Sequence, residues 1–189
     1  MADDLMVGLS MAELREITGY AAACAEPALA IFERDCTDDP RARAVLDEAR
    51  RFAAGGNRTK ALRVTASAAH RAARTAQETG RGAAVDAARA AGHAGGAAYL
   101  HPLAKAHQVV HILGSAAHAA RAIELDAGDD PDVGADYIEE ARGLAGPIVV
   151  SVLTRYPNAR AVAAVRVSCC GDWTHRCDGW RPAVDRSSP

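Results

Sequence analysis

The stretch Ala83–Leu100, AAVDAARAAGHAGGAAYL, decides the fold of this chain. Nine of its 18 residues are alanine, the strongest helix former, and none is proline. Alanine and glycine side chains are also small enough for two helix backbones to lie close together. The stretch therefore predicts a helix that packs tightly on its neighbours. Its close-contact positions are Gly92, Gly95 and Gly96, together with Gly114 on the next predicted helix.

The composition of the whole chain agrees with helix-on-helix packing. Hydrophobic residues make up 49% of the 189 residues, but only 4% are aromatic, so the apolar content is mainly alanine with valine and leucine. A β fold would need more β-branched and aromatic residues. The length fits one domain that can bury a core without disulfides or metals.

Cap and breaker residues divide the chain into helices. Ser10 and Glu13 form a capping-box pattern, and Asp39-Pro40 and Asp130-Pro131 are start signals for later helices. We predict an all-α fold, an antiparallel bundle of five or six helices in a domain spanning 10–157, with an irregular C-terminal tail. The predicted helices are about 10–32 with a kink at Pro27, 40–55, 58–77, 83–100, 103–127 and 132–156, the last interrupted at Gly146-Pro147.

The tail, 158–189, differs in composition from the rest of the chain. It holds both tryptophans and three of the five cysteines, and it has neither helical nor strand periodicity. We predict that it is irregular or disordered. If Val167–Arg181 is written in GC-rich codons and read one base off, it becomes GELLRGLDAPLRRLA, with apolar residues at helical spacing. Our hypothesis is a frameshift between about Pro157 and Val162, which resequencing of the gene would test.

Eight acidic residues and no Lys or Arg lie between Glu124 and Glu140. Helix capping needs fewer carboxylates than this. They either pair with a basic helix inside the molecule or present a negative surface to a basic partner. A calcium loop is not supported, because the glycine and the distal glutamate are missing at the required offsets. The candidate partner-binding residues are Glu124, Asp126, Asp129, Asp130, Asp132, Asp136, Glu139 and Glu140.

Three histidines share one face of the fifth predicted helix: His107, His111 and His118, with Ser115 between them. Histidines four residues apart can share a metal ion. The sequence has no glutamate in the position of a zinc-protease base and no Glu-x-x-His pair, so we predict no metal site. We interpret these histidines as polar residues of a helix interface or of a partner-binding surface. A metal-binding helical-bundle enzyme using His107 and His111 stays as an alternative.

The third predicted helix carries Lys60, Arg63, Arg71 and Arg74 on one face, with Ser67 among them. This face suggests a helical nucleic-acid-binding accessory protein as a further alternative. The lack of interleaved aromatic residues and the net charge of -2 argue against nucleic acid.

The sequence gives no sign of catalysis. It lacks a Gly-x-Ser-x-Gly elbow, a phosphate-binding Walker loop and a dinucleotide fingerprint, so we predict no enzyme and no cofactor. The acidic N-terminus is unlike a secretory signal, and no run of about 18 apolar residues could span a membrane. With an odd number of cysteines, these features predict a cytoplasmic location. The abundance of Ala, Gly and Arg suggests a GC-rich bacterial gene.

Three stretches, Gly55–Arg63, Ala69–Arg74 and Ala91–Gly114, resemble the Imm-five-like putative immunity proteins of bacterial polymorphic toxin systems. The resemblance implies an all-α protein that binds and neutralises a co-encoded toxin, and it carries over no catalytic residue. The predicted function is therefore stoichiometric binding of a cognate toxin. The contact surface would be the acidic stretch or the histidine-bearing face of the fifth helix.

Overall fold

The computed structural model describes residues 6–105 and 107–156. In this part the only β pairing is an isolated bridge between Met6 and Leu103. The all-α prediction is confirmed, and the predicted tail with its frameshift hypothesis lies outside the described residues. The described helices are α1 (Met11–Asp35), α2 (Arg41–Ala53), α3 (Lys60–Glu78), α4 (Gly82–Ala97), α5 (His107–Asp126), α6 (Pro131–Gly143) and α7 (Pro147–Thr154).

The start of α1 is the predicted capping box. The Ser10 hydroxyl accepts a hydrogen bond from the Glu13 amide at 3.2 Å, and the Glu13 carboxylate accepts from the Ser10 amide at 2.7 Å. Arg155 also donates to Glu13 at 2.5 Å, and these bonds lower the pKa of that carboxyl to about 2. The helix continues past Pro27 to Asp35. Local sequence signals were therefore sufficient to predict this helix.

The start of α5 differs from the prediction. The expected fifth helix begins at Leu103, whereas α5 begins at His107. The preceding residues instead pair with the N-terminal segment: the Val7 amide donates to the Pro102 carbonyl at 2.6 Å, and Met6 bridges Leu103. This pairing joins distant parts of the chain, so periodicity along the sequence did not predict it.

The helix α4 lies at the centre of the bundle. It contacts α1, α2, α3 and α5. Most of its residues are buried, including Asp86, which is only 3% exposed. A helix that is apolar around most of its circumference belongs in a core, as the alanine-rich stretch predicts.

The helix α6 lies at one edge of the bundle, against α5. The buried Tyr137 hydroxyl donates to the Cys24 carbonyl of α1 at 2.6 Å and so fixes its orientation. The N-terminus of α6 is capped by Asp130, whose carboxylate accepts from the Asp132 amide at 3.0 Å. One face of α6 is thereby directed to the core and the other to solvent.

Candidate functional site

Arginine side chains neutralise several residues of the acidic stretch. Arg34 of α1 pairs with Asp126 at 2.6 Å, which lowers the pKa of that carboxyl. Arg121 of α5 pairs with Asp129 at 2.6 Å and with Glu124 at 2.5 Å, and Glu124 is only 6% exposed. These carboxylates stabilise the junction of α5 with its neighbours.

Another pair in this stretch lies within α6, where Arg142 contacts Glu139 at 2.7 Å. Sequence analysis left open that the acidic residues pair with the basic third helix. The arginines that form ion pairs with them in the described structure belong to α1, α5 and α6. Internal pairing does occur, but with cations that the sequence pattern did not single out.

Three carboxylates form an exposed row along α6. Asp132, Asp136 and Glu140 are four residues apart and solvent-exposed, so they lie on one face. Among the described residues no ion pair involves any of them. We call this row the acidic ridge. Leu144, at the next helical spacing, is 51% exposed and extends the ridge with an apolar end.

The histidine-bearing face of α5 packs largely against α4. His118 lies 2.7 Å from Asp86 through its Nδ1 atom, and its side chain is 11% exposed. The Ser115 hydroxyl is buried and donates to the Ala90 carbonyl at 3.0 Å. His111 is half-buried, and the His107 side chain lies outside the described part. Ser115 and His118 therefore lie in a polar interface between α4 and α5, and a partner-binding role of this face stays a prediction.

Four imidazoles meet in this interface: His70 of α3, His93 of α4, and His111 and His118 of α5. We call them the histidine cluster. The His93 ring centroid lies 5.5 Å from that of His70, 6.0 Å from that of His111 and 5.2 Å from that of His118, on which it stacks. In the described part of the chain, no three or more His, Cys, Asp or Glu side chains are grouped to hold a metal ion.

Glycines on the opposing helix make room for the imidazoles. A Cβ atom on Gly114 would lie 2.9 Å from the His93 ring, and one on Gly92 would lie 2.8 Å from the His70 ring. These distances are shorter than real Cβ contacts, so each ring occupies space that only glycine leaves. The predicted close-contact role of Gly92 and Gly114 is confirmed.

Burial and mutual proximity lower the pKa of two members of the cluster, His93 and His70. Desolvation holds the pKa of His93 well below its usual value, and the neighbouring imidazoles lower it further. The pKa of His70 is lowered for the same reasons. Sequence analysis did not single out Asp86. The available signal was a carboxylate in an otherwise alanine-rich helix.

The basic face of α3 points to solvent, as its pattern predicts. Lys60, Arg63, Arg71 and Arg74 are exposed, and no ion pair involves them among the described residues. The Arg63 guanidinium lies 4.7 Å from the Tyr99 ring centroid. An aromatic side chain from the segment that follows α4 therefore adjoins this face, although α3 contains no Phe, Trp or Tyr.

The fold and these surfaces define a helical bundle whose charged groups lie mainly on outer faces. A family model described as Imm-5 like putative immunity protein matches residues 9–144. The chain belongs to this family. No curated protein and no solved structure matches it. Within the described residues, no helix is both long and apolar enough to cross a membrane.

Proposed function

We propose that this protein binds a cognate bacterial toxin stoichiometrically and neutralises it in the cytoplasm, without catalysis. Membership of an immunity-protein family supports the general role. The observation that carries the choice of surface is the acidic ridge, three exposed carboxylates without an ion pair in the described part of the chain. The half-buried His111 and His118 are less accessible to a protein partner.

The ridge determines the chemistry of the partner. A basic toxin surface would complement Asp132, Asp136 and Glu140, and such complementarity speeds association and fixes register. Exposed Leu144 and Ile148 follow the ridge and would add apolar contact area. We therefore expect an association rate that falls steeply as ionic strength rises.

Charge reversal tests the ridge. The variant Asp132→Lys, Asp136→Lys and Glu140→Lys should lose rescue of cells that co-express the toxin encoded by the neighbouring open reading frame. The expected loss of affinity is at least about tenfold, because like charges would replace complementary ones. Circular dichroism should show unchanged helicity, since all three side chains are exposed.

A matched control carries the same charge change elsewhere. Glu16→Lys, Asp38→Lys and Glu78→Lys alter three exposed acids outside the acidic stretch. This variant should rescue as well as the unmodified protein. Equal rescue by the ridge variant would mean that the toxin contact lies on another surface.

The exposed cations of α3 support a second candidate, a nucleic-acid-binding accessory role. Four exposed basic side chains on one face, with Tyr99 beside Arg63, could follow a phosphate backbone. A gel-shift assay with duplex and single-stranded DNA and RNA at low salt tests this role. Absence of a shift at micromolar protein would exclude it.

The metal-binding enzyme is less well supported, since the described side chains contain no grouped ligand set. Elemental analysis of the purified protein would overturn this assessment by finding stoichiometric zinc or iron.

A further inference from the structure

The histidine cluster concentrates protonatable groups in one helix interface. Three helices contribute to it. Helix α3 contributes His70 and Arg74, and α5 contributes His111 and His118. Helix α4, between them, contributes Asp86, Arg89 and His93. The positive charges of Arg74 and Arg89 lower the pKa of His70. Asp86 contacts the cluster at 2.7 Å from His118, and it also lies 3.6 Å from Arg89. If all four imidazoles took protons, four adjacent cations would join Arg74 and Arg89 in this interface.

The packing places two of the imidazoles against glycines of a neighbouring helix. The His93 ring fits the space left by Gly114, and the His70 ring fits the space left by Gly92. The Nδ1 atom of His93 is buried and has no hydrogen-bond partner. A proton on this ring would therefore create a desolvated cation beside three other imidazoles, which is unfavourable unless the helices separate.

We propose that the histidine cluster makes the packing of α3 and α5 against α4 sensitive to protons, so that mild acid loosens this part of the bundle. This proton sensitivity does not depend on the proposed toxin binding.

The direction follows from linkage. An imidazole that stays neutral in the folded protein takes a proton in the unfolded chain below about pH 6.5, so the unfolded state binds more protons. The contribution of these imidazoles to the free energy of unfolding is therefore fully present above that pH. It falls as the pH decreases, until the imidazoles of the folded protein are protonated as well. At pH 5 each ring that remains neutral in the folded state lowers the folding constant by about 30-fold.

The carboxylates act in a different pH range. The lowered pKa of Glu13, about 2, and that of Asp126 affect stability only as the pH approaches the usual carboxyl values and below. Measurements between pH 5 and 8 therefore report mainly on the imidazoles.

The first test is the urea midpoint of unfolding between pH 5 and 8. For the unmodified protein it should fall as the pH is lowered from 7 to 5. In the variant His70→Gln, His93→Phe the fall should be much smaller, because Phe keeps a ring beside Gly114 but does not titrate. The control His101→Gln, at an exposed position outside the cluster, should keep the full slope. Equal slopes in all three proteins would overturn the proposal.

A second test needs no variant. NMR titration should show the imidazoles of His70 and His93 taking protons below the usual pH range of a free imidazole. Hydrogen-exchange protection factors should decrease in α3 and α5 more than in α2 when the pH is lowered to 5.5. A pKa of His93 in the usual imidazole range, or an equal loss of protection in α2, α3 and α5, would contradict the proposal. If the double variant does not fold, His70→Gln alone should reduce the pH slope, because the His70 ring packs against His93. The exposed position of His70 should let this single variant fold.

Discussion

Replacement of Gly95 by valine should destabilise the bundle by about 3 kcal/mol, near the upper end of the usual cost of overpacking a core. A Cβ atom at this position would overlap the Cγ2 atom of Val45 and lie 2.9 Å from the Cβ of Ala66. Both neighbours are buried, so α2 and α3 would have to move away from α4 together. Urea unfolding at pH 7.5 would measure the loss.

Gly143→Val is the matched control. Gly143 is the last residue of α6, and a Cβ there would meet no atom within 4 Å. Because no overlap opposes it, this exchange should change stability by less than about 0.5 kcal/mol. If the two valine variants have the same urea midpoint, close packing at α4 does not limit stability. The stability of the Gly95→Ala variant should lie between those of the two valine variants, because the higher helix propensity of alanine offsets part of the cost of the overlap.

Phe32→Ala should cost about 3–5 kcal/mol, which lowers the melting temperature by about 10 °C. Phe32 is fully buried and is one of only two phenylalanines in the chain. The cost should be near the upper end because alanine-rich surroundings have few long side chains that could fill the cavity. Differential scanning calorimetry would measure the shift.

The control for this truncation is Val64→Ala on α3. Val64 is 51% exposed, so its removal leaves no cavity and should shift the melting temperature by no more than about 2 °C. A Phe32→Ala shift as small as that of Val64→Ala would mean that the core around α1 can relax, contrary to the packing described above.

Local signals predicted the helices because their causes are local. The capping box at Ser10, the Asp130 cap and the break at Gly146-Pro147 all involve neighbouring residues. The start of α5 was wrong by four residues because its cause, pairing of Val7 with Pro102, joins segments far apart in sequence.

The candidate surface was only partly predictable. A count of charges located the acidic stretch, but the count could not separate Asp126, which pairs with Arg34, from Asp136, which has no ion pair in the described part of the chain. That separation depends on which helices are neighbours. The same holds for the histidines, because helical spacing placed His111 and His118 on one face but did not show that α4 covers it.

By itself, the sequence determined that this chain forms alanine-rich helices with an acidic segment near their end, because helix propensity, capping and charge are properties of residues and their near neighbours. Only the tertiary structure decided which carboxylates remain unpaired and that four histidines from three helices meet around His93. The physical reason is that ion pairing and desolvation depend on distances through space, and these are set by how closely the glycines let α3, α4 and α5 approach.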